Sequence, residues 1–233
     1  KKERLHGDGI NFDNNSPEAL DETFFDNNEE FIKNELVNYI QLILLSNKKT
    51  KYLSKNNLNY KRIDIIYSKF QNSIFLTPIR EPLQHSFSLW KQHLRFIELQ
   101  KKDDFIRRYM NYLGHNEFGL DHKPWNKPVY FSDLKNINYW LEQWYLFYKN
   151  IFEKYQGKNY FYFVFYELLT NSNYTNLLLN NIKVKKVESF DYEYFKNSNK
   201  KNLNIDYSNA LFHKSKNIFD EIKKKHLIHL NLI

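Results

Sequence analysis

The chain of 233 residues has no cysteine, one methionine, five glycines and five prolines. Without thiols it can form neither disulfides nor thiolate metal sites, and that absence points to a reducing, cytoplasmic setting. The glycines (Gly7, Gly9, Gly114, Gly119 and Gly157) are scattered, so no Walker-type phosphate loop can be assembled from them. This argues against a P-loop kinase. No apolar run approaches the roughly 20 residues that span a bilayer, and none has the form of a signal peptide. The greasiest segment, Phe31 to Leu45, is interrupted by Lys33, Asn34, Glu35 and Asn38 at helical spacing and reads as a core helix.

What is present suits a folded domain. Hydrophobic residues make up 42% of the chain, enough for a substantial core, and the whole of 1–233 reads as a single domain. A net charge of +8 raises the question of nucleic acid. The lysines, however, are dispersed among Asn, Ile, Tyr and Phe, so no nucleic-acid partner is assigned. The charge is consistent with a polyanionic cofactor or an acidic acceptor.

Patterning predicts helices over about Pro17–Phe25 (Ser16 as N-cap, Pro17 at the first helical position) and Glu29–Leu45. Lys51–Ser54 reads as a short buried strand ending at Lys55. A helix over Tyr60–Phe70 follows, then a strand at Ile74–Ile79 and one long helix from Leu83 to Tyr112. Leu113–Asp133 reads as an irregular loop and Leu134–Tyr155 as helix. Tyr160–Phe165, continuously aromatic and β-branched, reads as a buried strand, with helices after it near Leu168–Asn181 and Tyr207–His226. Strands separated by helices imply an α/β fold with a parallel sheet flanked by helices. Lys55, Arg80 and Tyr166 each follow an expected strand, which places them at the carboxyl edge where such folds bind anions and nucleotides.

The most informative segment is Ile74-Phe75-Leu76-Thr77-Pro78-Ile79-Arg80-Glu81-Pro82, with Ser88 eight positions beyond Arg80. An apolar run ending on arginine, turning on proline and restarting as a helix sets a guanidinium, a helix N-terminus and a hydroxyl around one spot. The segment resembles the 3′-phosphate-binding motif of sulfotransferases that use 3′-phosphoadenosine 5′-phosphosulfate (PAPS). The resemblance covers most of the chain from about His6, most strongly Lys55–His93. Phe163-Val164-Phe165-Tyr166-Glu167-Leu168 resembles the family's Tyr-Glu-Asp/Glu-Leu segment, with Leu168 in place of the second acid.

The resemblance implies a P-loop-like three-layer fold. It implies Arg80 and Ser88 on the 3′-phosphate, Tyr166 on the adenine, and Glu167 holding its turn. Lys55 would lie near the sulfuryl oxygens as a catalytic cation. No metal is implied, and the acceptor would be a carbohydrate or other small molecule. The family's Lys/Arg-Ser/Thr-Gly-Thr-Thr/Ser phosphosulfate loop has no counterpart here. The chain is therefore read as a sulfotransferase domain without its N-terminal strand and loop, by truncation or by real loss. Family base positions hold Ser54 and Asn57 instead of glutamate and histidine. His6, between Gly7 and Arg4-Leu5 with Asp8 close by, is the remaining candidate base, and His85, one turn before Ser88, could face the site. The loop Gly114–Trp125 reads either as structural or as an acceptor-binding loop with Phe118 and Trp125 as stacking surfaces. Its irregular His and acid spacing argues against a metal site. The alternative to an enzyme is a catalytically inactive, nucleotide-binding relative.

Overall fold

The computed structural model describes residues 2–3, 11–12, 29–185 and 203–232, with side chains from residue 34 onward. The expected helix over Pro17–Phe25 and the candidate base His6 lie outside the described residues. The chain divides into two compact units, Lys1–Lys55 with Tyr112–Gly114, and Asn56–Asn111 with His115–Ile233.

In the first unit, β1 (Lys2–Glu3) pairs antiparallel with β2 (Asn11–Phe12), and α1 covers Glu29–Ser46. The segment after α1 is not a strand. Residues 51–56 are irregular, and Leu53 is 89% exposed, so the side chain that would have anchored a buried strand faces water. A pair of apolar residues, Tyr52 and Leu53, between a lysine and a serine cannot become a strand without a partner ladder. Lys55 thus ends an exposed irregular segment, not a strand.

The second unit is mixed α/β, mostly helical, built on a two-stranded parallel sheet flanked by helices. Its elements are a 3₁₀ turn (Asn57–Lys61), α2 (Ile63–Lys69), β3 (Phe75–Ile79), α3 (Pro82–Lys102), α4 (Asp104–Tyr112), α5 (Ile137–Tyr155), β4 (Phe161–Phe165), α6 (Ser172–Asn181) and α7 (Asn209–His229). β3 and β4 pair in register from Phe75 with Phe161 to Ile79 with Phe165. Both strands therefore end at the same level, and the residues that follow them emerge side by side.

The helix expected over Leu83–Tyr112 is broken at Asp103, which is extended (φ −141°, ψ 107°) and accepts the Phe105 N–H on its own carboxylate at 2.9 Å. A short acidic side chain competes with the helix for the next amide, and with no apolar residue at 101–104 nothing holds the turn shut. Four helices start where side-chain caps supply acceptors: Glu81 for α3, Asn136 for α5, Asn171 for α6 and Ser208 for α7.

The core forms where α5 lies on the sheet. Trp144, Tyr148, Ile151, Phe152 and Tyr155 recur at three- and four-residue steps, so they share one helical face, and that face is buried with Phe161, Phe163, Phe165, Ile79, Phe219 and Ile222. Nearer its start, α5 holds down the irregular chain that precedes it. The buried Glu142 carboxylate accepts the N–H groups of Val129, Tyr130 and Phe131 at 3.2, 2.9 and 3.2 Å, and Gln143 exchanges two hydrogen bonds with the Asn126 backbone. Glu142→Leu should cost about 1.5–3 kcal/mol, the worth of hydrogen bonds to a charged group. Amide exchange at 129–131 should rise while the β3–β4 ladder stays protected. Unchanged exchange at those three amides would contradict the role given to Glu142.

Among the described residues, no helix is long and apolar enough to cross a membrane.

Candidate functional site: the carboxyl ends of the parallel strands

Arg80 leaves the end of β3 and Tyr166 the end of β4, one position beyond the last register pair. The Arg80 guanidinium carbon lies 5.1 Å from the Tyr166 ring centroid, over its face. Its Nη1 lies 3.5 Å from the Ser88 hydroxyl, which in turn donates to the Gln84 carbonyl at 3.1 Å. Arg80, Ser88 and Tyr166, the three residues assigned from sequence to a nucleotide, are brought together. Ser88 and Tyr166 are exposed, so the cluster faces solution.

What holds this cluster is a set of bonds between the two strand-end turns. Glu167 accepts the Glu81 N–H on Oε1 at 2.8 Å, tying the turn after β4 to the turn after β3. Glu81 in turn accepts the Gln84 N–H at 2.8 Å and so caps α3, while Pro82 occupies the first helical position. From below, the Tyr148 hydroxyl donates to the Pro78 carbonyl at 2.7 Å. The Ser86 hydroxyl, fully buried, donates to Pro82 and lies within 3.4 Å of the Trp140 carbonyl, seating α3 on α5.

The electrostatics follow from this packing. Burial, and then the Arg80 charge, push the His85 imidazole down to about 4, so it is neutral at physiological pH. Its Nδ1 is sealed from solvent with no hydrogen-bond partner, and its ring lies 6.1 Å from that of Tyr148. His85 therefore packs beneath the cluster. Burial first, and the Glu167 charge second, raise the Tyr148 phenol well above its ordinary value. Tyr148 was not legible as a site residue. Its only sequence signal is a place on the apolar stripe of α5, where aromatic side chains are ordinary core.

The loop after α4 is closed, not open. Phe118 is buried, stacked on Trp140 with centroids 5.7 Å apart and edge-on to Trp125 at 6.2 Å. Phe118 and Trp125 are accordingly not stacking surfaces for an acceptor but part of a second core with Trp140, Tyr139, Phe96 and Leu134. Arg107 and Asn111 hold Asp121, drawing its carboxyl down to about 2. Asn57 donates to the buried Glu117 carboxylate at 3.0 Å. His115 lies 3.6 Å from the same carboxylate. Among the described residues, no three His, Asp or Glu side chains gather as a metal site.

An arginine stacked on an exposed tyrosine at the carboxyl end of a parallel sheet, next to a helix N-terminus and a hydroxyl, is equipped to hold a phosphate beside a planar ring. The unit that carries this cluster is mixed α/β, mostly helical, with a two-stranded parallel sheet flanked by helices. No family model, curated protein or solved structure matches the chain.

Proposed function

We propose that this chain is a PAPS-dependent sulfotransferase domain of the P-loop-like class, moving a sulfuryl group to a hydroxyl or amine of a carbohydrate or other small molecule. The observation that carries the reading is the joint position of Arg80, Ser88 and Tyr166 at the ends of two parallel strands. Arg80 and Ser88 take the 3′-phosphate and Tyr166 lies against the adenine. In the reaction the acceptor oxygen or nitrogen bonds to sulfur as the bond from sulfur to the 5′-phosphate oxygen breaks. The acceptor's proton passes to a base and 3′,5′-adenosine bisphosphate leaves. Lys55 is assigned to the charge growing on the leaving phosphate and His6 to the proton, both from residue type and order along the chain.

One observation favours the second reading, a nucleotide-binding relative without catalysis. Asn57 cannot take a proton, and its amide is committed to Glu117. The two readings share the nucleotide and part at turnover. Calorimetry with 3′,5′-adenosine bisphosphate and with AMP tests the shared part. Binding at least tenfold tighter for the bisphosphate is expected, and equal affinities would remove the 3′-phosphate site. Transfer of radiolabelled sulfuryl to a panel of glycans, phenols and amines then separates enzyme from binding protein.

The adenine contact has its own test. Tyr166→Leu should weaken bisphosphate binding by roughly five- to a hundredfold, since stacking of a base on an aromatic ring contributes about 1–3 kcal/mol. Tyr166→Phe should bind nearly as the unaltered chain does. A loss as large for phenylalanine as for leucine would point to the hydroxyl instead of the ring face.

A further inference from the structure

The closed loop contains a second titratable cluster that the nucleotide site does not use. His93, on α3, is fully buried, and its Nδ1 accepts the N–H of Gly119 at 3.2 Å. An accepting Nδ1 carries no proton, so the ring proton sits on Nε2, which is sealed without a partner. His122, on the loop, faces the Glu117 carbonyl with Nδ1 and the Tyr139 hydroxyl with Nε2, both at 2.6 Å. The two rings lie 5.4 Å apart and each is about 5 Å from Trp140. Gly119 itself sits at φ +89°, where a Cβ would meet the Gln100 side chain at 2.3 Å, so the loop backbone is pressed onto α3 at this point.

We propose that residues 115–125 form an acid-released latch, pinned to α3 by the neutral His93 imidazole and freed when that ring takes up a proton. The two histidines are not equivalent. A protonated His122 keeps both bonds, because its Nδ1 already donates and the Tyr139 oxygen can accept from Nε2. A protonated His93 would set a second N–H against the Gly119 N–H inside a fully buried site, so Gly119 must leave before the proton can enter.

The surroundings favour the neutral form. Burial first, and His122 second, push His93 down to about 4. Burial also lowers His122, against the Glu117 carbonyl and charge, which raise it. From the loop, Glu117 acts on His122 and is held by Asn57 and His115, and Asp121 is paired with Arg107 and sits in the field of Lys123. From α5, Glu142 acts on Tyr139, raising that phenol together with burial. Against an open-state value near 6.5, the stabilisation that a neutral His93 lends the closed loop is whole above that pH. It is lost progressively as pH falls toward 4. Release turns Phe118 and Trp125 away from Trp140 and exposes an aromatic face.

Amide exchange of Gly119 in the unaltered protein reads the proton directly. Base-catalysed exchange slows by about tenfold per pH unit on acidification, whereas an opening that takes up one proton becomes about tenfold more frequent. Between about pH 6.5 and 4 the two at least cancel, and since His122 also gains a proton more readily once released, the observed Gly119 rate should stay flat or rise as pH falls. A rate that falls close to tenfold per unit overturns the latch. His85, half-buried with its Nδ1 sealed, and the buried His226 are also neutral, each near 4, so unfolding of the whole unit is proton-coupled as well. His93→Asn separates the two: its side-chain carbonyl can accept from Gly119 but cannot titrate. In that variant the decline should return at 115–125, short of tenfold by what His122 still takes up, while the β3–β4 ladder amides still exchange more slowly than Gly119 and retain the proton uptake of His85 and His226. A Gly119 profile unchanged by the substitution overturns the proposal; if the variant does not fold, the wild type decides by rate, Gly119 exchanging faster than the β3–β4 ladder amides throughout for the latch, and at the same rate as the ladder against it.

Discussion

Replacing Arg80 with alanine will weaken binding of 3′,5′-adenosine bisphosphate by roughly ten- to a hundredfold. A charge-assisted hydrogen bond contributes about 1.5–3 kcal/mol, and each 1.4 kcal/mol is a factor of about ten in affinity. The effect should sit near the upper end, because Arg80 has two tasks in this geometry. It faces the Ser88 hydroxyl at 3.5 Å and covers the Tyr166 ring at 5.1 Å, so its removal takes away both the fork for the phosphate and the support of the stacking ring. Arg80→Lys should recover only part of the loss, since an ammonium makes no paired planar contact. Affinity should fall further with added salt for the wild type than for the alanine variant. Fold should be unaffected, as the pairing of β3 with β4 and the Glu167–Glu81 bond do not involve the guanidinium. Equal calorimetric affinities for wild type and Arg80→Ala, with both folded, would take Arg80 out of the site and the sulfotransferase reading with it.

Trp140→Ala should lower stability by about 3–5 kcal/mol, the range for truncating a large buried aromatic side chain. Trp140 is wholly buried and is the hub of the second core. Phe118 stacks on it, Trp125 and Tyr139 meet it edge-on, and both His93 and His122 lie against it. Its indole N–H also donates to the Leu134 carbonyl at 2.9 Å, leaving that acceptor unmatched after truncation. For a domain of this size the loss corresponds to a fall in Tm of roughly 6–20 °C. Because α3 is seated on α5 at the Trp140 carbonyl through Ser86, nucleotide affinity should drop less than stability does. A thermal shift below about 3 °C would mean that the loop and α3 do not depend on this residue.

Much of this could be read from the residues alone, and the reasons are local. The strand Ile74–Ile79 appears as Phe75–Ile79 and Tyr160–Phe165 as Phe161–Phe165, since short apolar runs bounded by turn residues have few other outcomes. The helices at Glu29, Ile137 and Asn209 follow from apolar periodicity, and at the last two from caps that carry their own hydrogen bonds. The failures also share a cause. Lys51–Ser54 has the composition of a short strand, but a strand exists only where another strand presents a ladder to it. Asp103 breaks α3 from α4 by a side-chain bond that periodicity does not weigh. For Phe118 and Trp125 the residues left a structural loop and a stacking surface equally open, because the direction of an aromatic ring depends on what the rest of the chain packs against it.

By itself the sequence determined the chemistry available: a chain without thiols or a glycine-rich phosphate loop, an arginine at the end of an apolar run, a hydroxyl eight residues on, and a tyrosine after a second such run. Tertiary structure decided which of these meet. The parallel register of β3 and β4 sets Arg80 beside Tyr166, and the Glu167–Glu81 bond fixes the two turns that carry them. It also decided that two histidines, 29 positions apart, would be buried 5.4 Å from each other with one nitrogen committed to a loop amide. Residue type and spacing along a chain specify what a side chain can do. Distance, burial and the tautomer imposed by a neighbour arise only from packing between segments remote in sequence.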